Sequence, residues 1–524
     1  MNELGRKARF DAAALRRKIS EPAAEDAAST TGDADADPEA PAVLNPLARQ
    51  IAAQYSDENY SPALLIGQIR LLEFVSLLAV NLLAAMLLSA AAPLEPIARI
   101  AVLSLASGMT VLLLQLADTY HIPMLRSARR SRGRVATAAL LGFLAAAVGL
   151  YLIEGPALDL ADHLTWIATG TLFLLIERQL ISFGIRHWAR NGIMERRAVV
   201  VGGGEPAKQL VRALEQQPDN DIRICGIFDD RGSVRSPDVI AGYPKLGTFA
   251  ELVEFARLAR VDMLIIALPA TAEARILQLL RKLWVLPVDI RLAAHANQLR
   301  FRPRSYSHVG VVPMFDIFDK PIRDWDSVAK RTFDIVFALL SLAVTWPVMV
   351  GAAIAVKATS RGPVLFVQKR HGFNNEVINV LKFRSMYTEG ADPTAKRAVT
   401  RNDPRVTPVG RFLRKSSIDE LPQLFNVLRG DLSLVGPRPH SVYAQTGERR
   451  YVDVVESYFA RHRVKPGVTG WAQINGLRGE LDSDEKIRMR TSYDLHYIEN
   501  WSLLLDMKIL LLTPIRLLKA ENAY

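Results

Sequence analysis

The 524-residue sequence contains a single cysteine, Cys225, so an intrachain disulfide framework is excluded. This composition is consistent with a reducing compartment. The first 18 residues are charged and lack an apolar core, so we expect no cleavable signal peptide. Lysine and arginine are absent from the short connections AAPLEP and EGPALDLADH. Each of these two connections joins a pair of long apolar segments.

Long apolar runs are abundant in this chain: half of the residues are hydrophobic, and the mean hydropathy is +0.11 although 23% are charged. Four runs lie at residues 74–92, 97–116, 135–153 and 164–185, each about as long as a helix that crosses a bilayer core of about 30 Å. Arginines precede the first run, separate the second from the third and follow the fourth. The positive-inside rule therefore predicts a four-helix transmembrane bundle over residues 49–190 with both ends in the cytoplasm.

Residues 1–48 are predicted to form a disordered cytoplasmic tail, because residues 19–45 are acidic, rich in alanine and proline, and poor in large apolar groups. The whole chain is nevertheless basic, with a net charge of +11. A basic protein can bind nucleic acid, anionic lipid or phosphorylated substrates. We expect no nucleic acid partner, because the basic residues are spread over membrane loops and phosphate-suited motifs and do not form one stripe with aromatic platforms.

Residues 191–300 alternate between strand-like and helix-like patterns, which predicts a Rossmann-like cytoplasmic domain with a mostly parallel sheet. Gly202 and Gly204 approximate a dinucleotide-binding turn, and Asp229 and Asp230 fall near the position of a ribose-binding carboxylate. The match is weak. Two interpretations stay open: a nucleotide site, or a structural or regulatory module. Residues 301–329 are predicted to be a linker.

A fifth apolar run, residues 333–356, contains Pro347 near its middle and has basic residues on both sides. A helix of this length could cross the membrane and would then place the rest of the chain outside the cell. Alternatively, a helix bent at Pro347 could enter the membrane and return to the cytoplasmic face. We favour this re-entrant helix at the start of a domain that covers residues 330–524.

Two adjacent carboxylates, Asp419 and Glu420, are the candidate catalytic and metal-binding groups of this last domain. They lie between cationic segments, and Pro422 suits the first turn of a helix, so they are predicted near a helix N-terminus, where anions are favoured. The alternative is that they only cap that helix.

Basic residues around this pair are candidates for binding phosphate. Lys382 and Arg384 share one face if KFRSM is a strand, Arg414 precedes Asp419 by five residues, and Arg438 lies in the rigid turn GPRP. Solvated faces or lipid headgroup contacts are the alternative for these cations. Asp494 is a supporting acidic candidate that could equally pair within its own helix.

Six motifs of residues 330–520 resemble, in order, those of the polyprenyl-phosphate hexose-1-phosphate transferases, a family of monotopic bacterial sugar transferases. The motifs are KRTFD with a proline-broken apolar helix, GPVLFVQKRHGFNN, KFRSM, SSIDELPQLFNVLRGDLSLVGPRP, KPGVTGWAQINGLRG and YDLHYIENWSLLLDMKIL. The upstream bundle and Rossmann-like region also look like the long form of this family, similar to undecaprenyl-phosphate glucose phosphotransferases. Trp346 departs from the family pattern, because many relatives have serine before the proline.

The resemblance implies a two-step transfer of a hexose-1-phosphate from a UDP-sugar to undecaprenyl phosphate. Asp419 would attack the sugar-bearing phosphorus and release UMP, and the lipid phosphate would then take the sugar phosphate from the aspartyl intermediate. Mg²⁺ would bridge the diphosphate and an acidic ligand, with Glu420 as a second ligand or base. Lys382, Arg384, Arg414 and Arg438 would hold phosphate groups.

The resemblance further favours glucose as the sugar, with galactose as the runner-up. It implies a cytoplasmic catalytic face on the bacterial inner membrane and contact with membrane lipids, and we expect a homodimer through the upstream domains. The alternative of another class is a nucleotide-sensing regulatory membrane protein that uses the turn at Gly202 and Gly204.

Overall fold

The computed structural model describes residues 44–55, 61–88, 96–154, 160–190, 195–216, 222–232, 237–269, 272–293, 307–309, 312–388, 403–440, 445–446, 449–455, 458–477 and 483–518. The chain forms two compact units. One comprises residues 58–196 and 217–223, and the other comprises residues 1–57, 197–216 and 224–524. Most of the predicted disordered tail lies outside the described residues. Residues 46–48, however, belong to a helix, because Leu44, Ala48 and Ala52 are buried in the core of the sheet domain.

The first unit is a bundle of long apolar helices whose core is built from leucine, alanine and aromatic side chains. Three of these helices contain stretches long and apolar enough to cross a membrane, Ala63–Ala84, Ala128–Gly149 and Leu164–Trp188, and a shorter apolar helix spans Ile100–Leu116. The predicted membrane-helical region is therefore confirmed. Its helices are α2 (Pro62–Leu88), α3 (Pro96–Leu116), α4 (Ile122–Arg126), α5 (Ala128–Glu154) and α6 (Leu160–Arg190), and they follow α1 (Pro46–Gln54) of the other unit.

Glu73, Glu177 and Arg178, three charged residues inside the bundle, contact polar or charged side chains, as expected for ionisable groups in an apolar setting. The guanidinium of Arg178 contacts the Glu73 carboxylate, with Nε and Oε1 2.6 Å apart, and Tyr120 donates its hydroxyl to the same carboxylate. Glu177 accepts a hydrogen bond of 2.8 Å from Ser76. These contacts join α2 to α6, which are distant in sequence.

The second unit begins with an eight-stranded sheet flanked by α1 and three further helices. Its strand order is β3-β4-β2-β1-β5-β6-β8-β7; β1, β5 and β6 run parallel, as do β2 and β4. This confirms the α/β domain with a largely parallel sheet. The elements are β1 (Arg196–Val201), α7 (Glu205–Glu215), β2 (Ile222–Phe228), β3 (Val239–Ile240), β4 (Tyr243–Gly247), α8 (Phe249–Leu258), β5 (Met263–Ile266), α9 (Glu273–Leu283), β6 (Asp289–Ala293), β7 (Ser307–Val309) and β8 (Val312–Phe318).

The predicted linker 301–329 differs from the structure, because β7 and β8 add antiparallel strands to the sheet. Residues Val312, Met314 and Ile317 of β8 are buried, so this stretch completes the core of the sheet domain. The sequence does not predict these two strands, because aromatic and charged residues interrupt the alternation of apolar and polar positions in this stretch. The following helix begins at Asp324, within the predicted linker.

The remaining elements surround a smaller core. They are α10 (Asp324–Thr359), β9 (Leu365–His371), β10 (Val377–Phe383), α11 (Pro408–Ser416), α12 (Gln423–Arg429), β11 (Ser433–Val435), β12 (Gln445–Thr446), β13 (Arg449–Arg450), α13 (Tyr451–Val454), β14 (Gly467–Thr469), α14 (Trp471–Ile474), α15 (Asp484–Glu499) and α16 (Leu503–Leu518). Three 3₁₀ segments add Phe373–Asn375, Ile418–Glu420 and Tyr458–Arg463. β9 and β10 pair antiparallel, and β11 pairs parallel with β14.

Helix α10 continues through Pro347, and the stretch is also long and apolar enough to cross a membrane. Before the proline, Ala338 packs in one cluster with Val380 of β10. After the proline, Val356 packs in a second cluster with Phe383 of the same strand. Both arms of α10 thus pack against one domain.

One 3₁₀ segment, Tyr458–Arg463, joins the sheet domain to the last domain. Its Ala460 is fully buried in the core cluster of the sheet domain. Its Arg463 donates a hydrogen bond of 3.0 Å to the carbonyl oxygen of Asp319 and lies over the ring of Phe318. The segment is therefore fixed against the end of β8.

Candidate active site

The carboxylates Asp419 and Glu420 lie in a short 3₁₀ turn between α11 and α12. Thr407 caps α11 by accepting a hydrogen bond of 2.8 Å from the Gly410 amide. At the other end, Ser417 adopts a left-handed conformation (φ 60°) that ends the helix and redirects the chain. The two carboxylates therefore precede α12, as the sequence predicted, but α12 is only seven residues long. The surrounding side chains, and not a helix dipole, set their chemistry.

Glu420 is bound by two cations. Arg438 grips it bidentately, with Nη2 2.5 Å from Oε1 and Nη1 3.0 Å from Oε2, and Lys382 donates to Oε1 at 2.9 Å. Burial opposes the charge on Glu420, but Arg438 and Lys382 outweigh it and hold its pKa well below the usual range. Glu420 is therefore a permanent anion that fixes Lys382 and Arg438 in place.

Asp419 has a different environment. Its residue is 9% exposed, and within the part of the chain that the structure describes its carboxylate accepts no hydrogen bond. Burial and the neighbouring Glu420 raise its pKa to about 6, in spite of the opposing effect of Lys382, Arg414 and Arg438. A carboxylate that is near cations but not bound by them is available to a phosphorus atom or a metal ion.

The structure brings Lys382, Arg414 and Arg438 together around the carboxylates. Lys382 comes from β10, where it is paired with Phe366 of β9, and Arg414 comes from the last turn of α11. Arg438 comes from the GPRP turn, which follows β11. A strand, the helix that precedes the 3₁₀ turn and the GPRP turn thus each place one cation beside the two carboxylates.

Arg384 does not join this group. Its Nη2 donates to the carbonyl and hydroxyl oxygens of Ser360, at 2.8 and 2.7 Å, and the side chain is buried. It therefore ties the C-terminal end of α10 to the end of β10. Because β10 ends at Phe383, the strand alternation that predicts a shared face for Lys382 and Arg384 does not extend to Arg384.

Asp494 is connected to the carboxylate pair only indirectly, through Arg461 and Arg438. It accepts a hydrogen bond of 2.5 Å from Arg461 Nη2, and the same Nη2 donates to the Arg438 carbonyl oxygen at 2.9 Å. Asp494 and Arg461 are each 1% exposed. Asp494 therefore supports the backbone of the turn that carries Arg438.

Sequence reasoning missed Arg370 of β9. Its Nη1 donates to the Pro439 carbonyl oxygen at 2.8 Å, and its Nη2 donates to Gln368 at 2.7 Å. Burial, and to a smaller extent the positive charge of the nearby Arg438, lower the pKa of Arg370 to about 10. The alternation of Gln368 and Arg370 on one face of β9 was the available signal.

The predicted nucleotide turn is filled by protein groups. Gly202 and Gly204 have φ values of 103° and 81°, as a glycine turn requires. However, Asp229 accepts hydrogen bonds from the Gly203 amide at 2.8 Å and from Arg231 Nε at 2.9 Å. Arg231 also donates to the Gly203 carbonyl oxygen. The carboxylate that a ribose would need is therefore engaged within the turn.

Arg384 and Arg414 give contrasting predictions. Arg384→Gln is expected to lower the melting temperature, because Ser360 loses its partner, and to change KM for the nucleotide sugar less than about twofold. Arg414→Gln is expected to raise that KM by about 10-fold, because a charged phosphate contact is lost, with an unchanged melting temperature. Differential scanning fluorimetry and steady-state kinetics check both. The reverse pattern would show that Arg384 contacts substrate.

Mg²⁺ was predicted at these carboxylates, and the arrangement of donors fits it. No cluster of three metal-ligating side chains occurs among the described residues. Mg²⁺ at phosphate sites usually takes only one or two carboxylates and obtains its other oxygens from substrate and water. The unbound carboxylate of Asp419 suits this role, whereas both oxygens of Glu420 already accept hydrogen bonds.

Comparison with known proteins identifies the family of this chain. Residues 325–520 match the family model for bacterial sugar transferases, and residues 115–294 match a model described as a CoA-binding domain. Among the similar proteins is the UDP-glucose:undecaprenyl-phosphate glucose-1-phosphate transferase of Xanthomonas campestris pv. campestris, 35% identical over 77% of this chain and 84% of its own length.

Two further relatives have similar names. The UDP-glucose:undecaprenyl-phosphate glucose-1-phosphate transferase of Escherichia coli (strain K12) is 38% identical over 69% of this chain and 76% of its own length. The undecaprenyl-phosphate glucose phosphotransferase of Komagataeibacter xylinus is 38% identical over 68% of this chain, which spans 66% of that relative. Because residues 325–520 match the family model, and because a relative at 35% identity aligns with this chain over 84% of that relative's length, this protein belongs to the bacterial sugar transferase family.

Proposed function

We propose that the protein transfers glucose-1-phosphate from UDP-glucose to undecaprenyl phosphate and releases UMP, as the first membrane step of exopolysaccharide, capsule or O-antigen-type glycan synthesis. The observation that carries this proposal is the contrast within the carboxylate pair. Glu420 is fully bound by Lys382 and Arg438, while Asp419 is unbound beside the same cations. Such a carboxylate can act as a nucleophile towards an anion whose charge its neighbours neutralise.

In the first step, an oxygen of Asp419 attacks the sugar-bearing phosphorus, and the bond from that phosphorus to the bridging oxygen breaks. UMP leaves with the electron pair, and an aspartyl phosphosugar remains. In the second step, an oxygen of undecaprenyl phosphate attacks the same phosphorus and releases Asp419. The product is a lipid-linked sugar diphosphate. Both displacements keep charge near Lys382, Arg414 and Arg438, which would stabilise it.

Asp419 would hold Mg²⁺, and Glu420 would be an additional ligand only if it lost its contact with Lys382 or Arg438. When bound, Mg²⁺ supplies neutralisation of the diphosphate oxygens. Glu420 is a poor candidate for a general base, because Arg438 and Lys382 keep its pKa low. We infer instead that it orients those two cations.

The membrane setting supports the choice of substrates. A lipid phosphate and a soluble nucleotide sugar meet only at the bilayer surface. Both arms of α10 pack on the catalytic domain, while its apolar side chains Val344 and Ile354 are 77% and 65% exposed. Exposed leucines continue on α16, at Leu504 and Leu511. These features favour a re-entrant α10 that holds the active site at the cytoplasmic face of the inner membrane.

A panel of UDP-sugars tests this function. Purified protein with Mg²⁺ and undecaprenyl phosphate is expected to release UMP fastest from UDP-glucose, with UDP-galactose as the nearest competitor. UMP release is measured by a coupled assay, and the lipid product by mass spectrometry. Preference for UDP-galactose would show that the transferred sugar is galactose and would leave the proposed reaction type unchanged. Absence of lipid-dependent UMP release from every UDP-sugar would reject the proposal.

A further inference from the structure

Behind the GPRP turn, the side chain of Arg490 is buried without its full set of partners. It lies on α15, one helical turn before Asp494, and is 4% exposed. Its Nε and Nη2 have no hydrogen-bond partner among the described residues. An unpaired cation in a protein interior is costly, so a buried guanidinium with two unused donors requires an explanation.

His440, the residue after the turn, provides a further unused donor. Its Nδ1 lies 2.5 Å from Arg461 Nη1 and 2.5 Å from the Tyr458 hydroxyl. A guanidinium can only donate, so Nδ1 must be the accepting nitrogen and the ring proton is assigned to Nε2. That Nε2 is buried and has no partner in the described structure. Burial and the cations around it, Arg461 first, keep the pKa of His440 well below its usual value, which agrees with a neutral ring.

Arg461 adds a fourth unused donor, because its Nε is buried without a partner among the described residues. Every unsatisfied atom of Arg490, His440 and Arg461 is thus an N–H group. The cluster contains two guanidinium charges and one carboxylate, that of Asp494, so one positive charge is not balanced locally. An anion with several hydrogen-bond acceptors would both accept hydrogen bonds from these donors and balance the remaining positive charge.

We propose that Arg490, His440 and Arg461 bind a phosphate oxyanion at a second position, distinct from the carboxylate pair Asp419 and Glu420. The proposed function supplies two sources of this one chemistry: the phosphate of the leaving UMP, and the phosphate of the lipid acceptor. Arg438 connects the two positions, since its guanidinium holds Glu420 and its carbonyl oxygen accepts from Arg461.

The test compares full-length Arg490→Gln with wild-type protein in lipid nanodiscs, with inorganic phosphate, UMP and undecaprenyl phosphate as probes. Arg488→Gln is the matched control, because Arg488 is on the same helix but exposed. Without any probe, Arg490→Gln is expected to melt at the same or a higher temperature than wild type, because it removes an unpaired buried charge. Inorganic phosphate is expected to raise the melting temperature of wild type and Arg488→Gln but not of Arg490→Gln.

Isothermal titration calorimetry then identifies the source. Arg490→Gln is expected to weaken binding of either UMP or undecaprenyl phosphate by about 10- to 100-fold, and the weakened probe names the phosphate that binds here. Arg490→Lys should recover part of that affinity. A lower melting temperature for Arg490→Gln together with unchanged affinity for all three probes would overturn the proposal and make Arg490 structural. Because these measurements need no turnover, they can succeed even if the transferase activity is rejected.

Discussion

Asp419→Asn is expected to reduce UMP release by at least about 10³-fold, because the amide keeps the shape of the side chain but cannot attack phosphorus. Asp419 accepts no hydrogen bond from the described residues, so the substitution breaks no internal contact and should leave the melting temperature within about 1 °C of wild type. Steady-state UMP release with UDP-glucose and undecaprenyl phosphate measures the effect. Asp431→Asn, a change at a partly exposed carboxylate 3.8 Å from Arg429, is the matched control.

A labelling experiment separates a nucleophile from a mere metal ligand. Without the lipid acceptor, wild-type protein incubated with UDP-glucose labelled in the sugar should acquire covalent label that hydroxylamine removes, as expected for an acyl phosphate. Asp419→Asn should acquire none. Labelling of the Asn variant at the wild-type level would assign the covalent step to another residue.

Arg438→Gln is expected to have the second-largest effect, a loss in kcat/KM of about 10²- to 10³-fold. The substitution removes a cation that we propose binds the substrate phosphate, and it leaves Glu420 with Lys382 as its remaining cation in a buried site. Breaking a buried ion pair at one partner costs about 3–5 kcal/mol, so the free energy of unfolding should fall by up to that amount. Chemical denaturation and UMP release measure the two effects. Arg429→Gln, an exposed arginine on α12, should change neither.

The double variant Arg438→Gln, Glu420→Gln distinguishes the two roles of Arg438. Removing both charges should restore most of the lost stability, because no unpaired anion remains. Activity should stay low, because the substrate phosphate still lacks its cation. Recovery of activity in the double variant would mean that Arg438 serves only to neutralise Glu420.

Local sequence patterns were sufficient for much of the fold and for part of the site. Hydrophobic runs and arginine placement predicted the membrane-helical region, and alternating patterns predicted the largely parallel sheet. Five candidate site residues were predicted from motifs and are close together in the structure: Lys382, Arg414, Asp419, Glu420 and Arg438. Each belongs to a motif with a strong local pattern.

Other features depend on long-range contacts that no local pattern contains. Arg384 looked equivalent to Lys382, but the end of β10 and the partner Ser360 give it a different role. The linker prediction was wrong because β8 is a strand through its pairing with β6, and its sequence has no clear alternation of apolar and polar residues. Asp494 could not be assigned until Arg461, 33 residues earlier in the chain, was seen to hold both Asp494 and the Arg438 backbone.

The 3₁₀ segment Tyr458–Arg463 has a consequence for how the domains depend on each other. Ala460 fills the core of the sheet domain, while Arg461, the next residue, fixes the turn that carries Arg438. Adjacent residues of a 3₁₀ turn are restrained together, because they are covalently joined and i→i+3 hydrogen bonds limit the dihedral angles of each. The position of Arg438 therefore depends on the packing of a domain that contributes no side chain to the carboxylate pair.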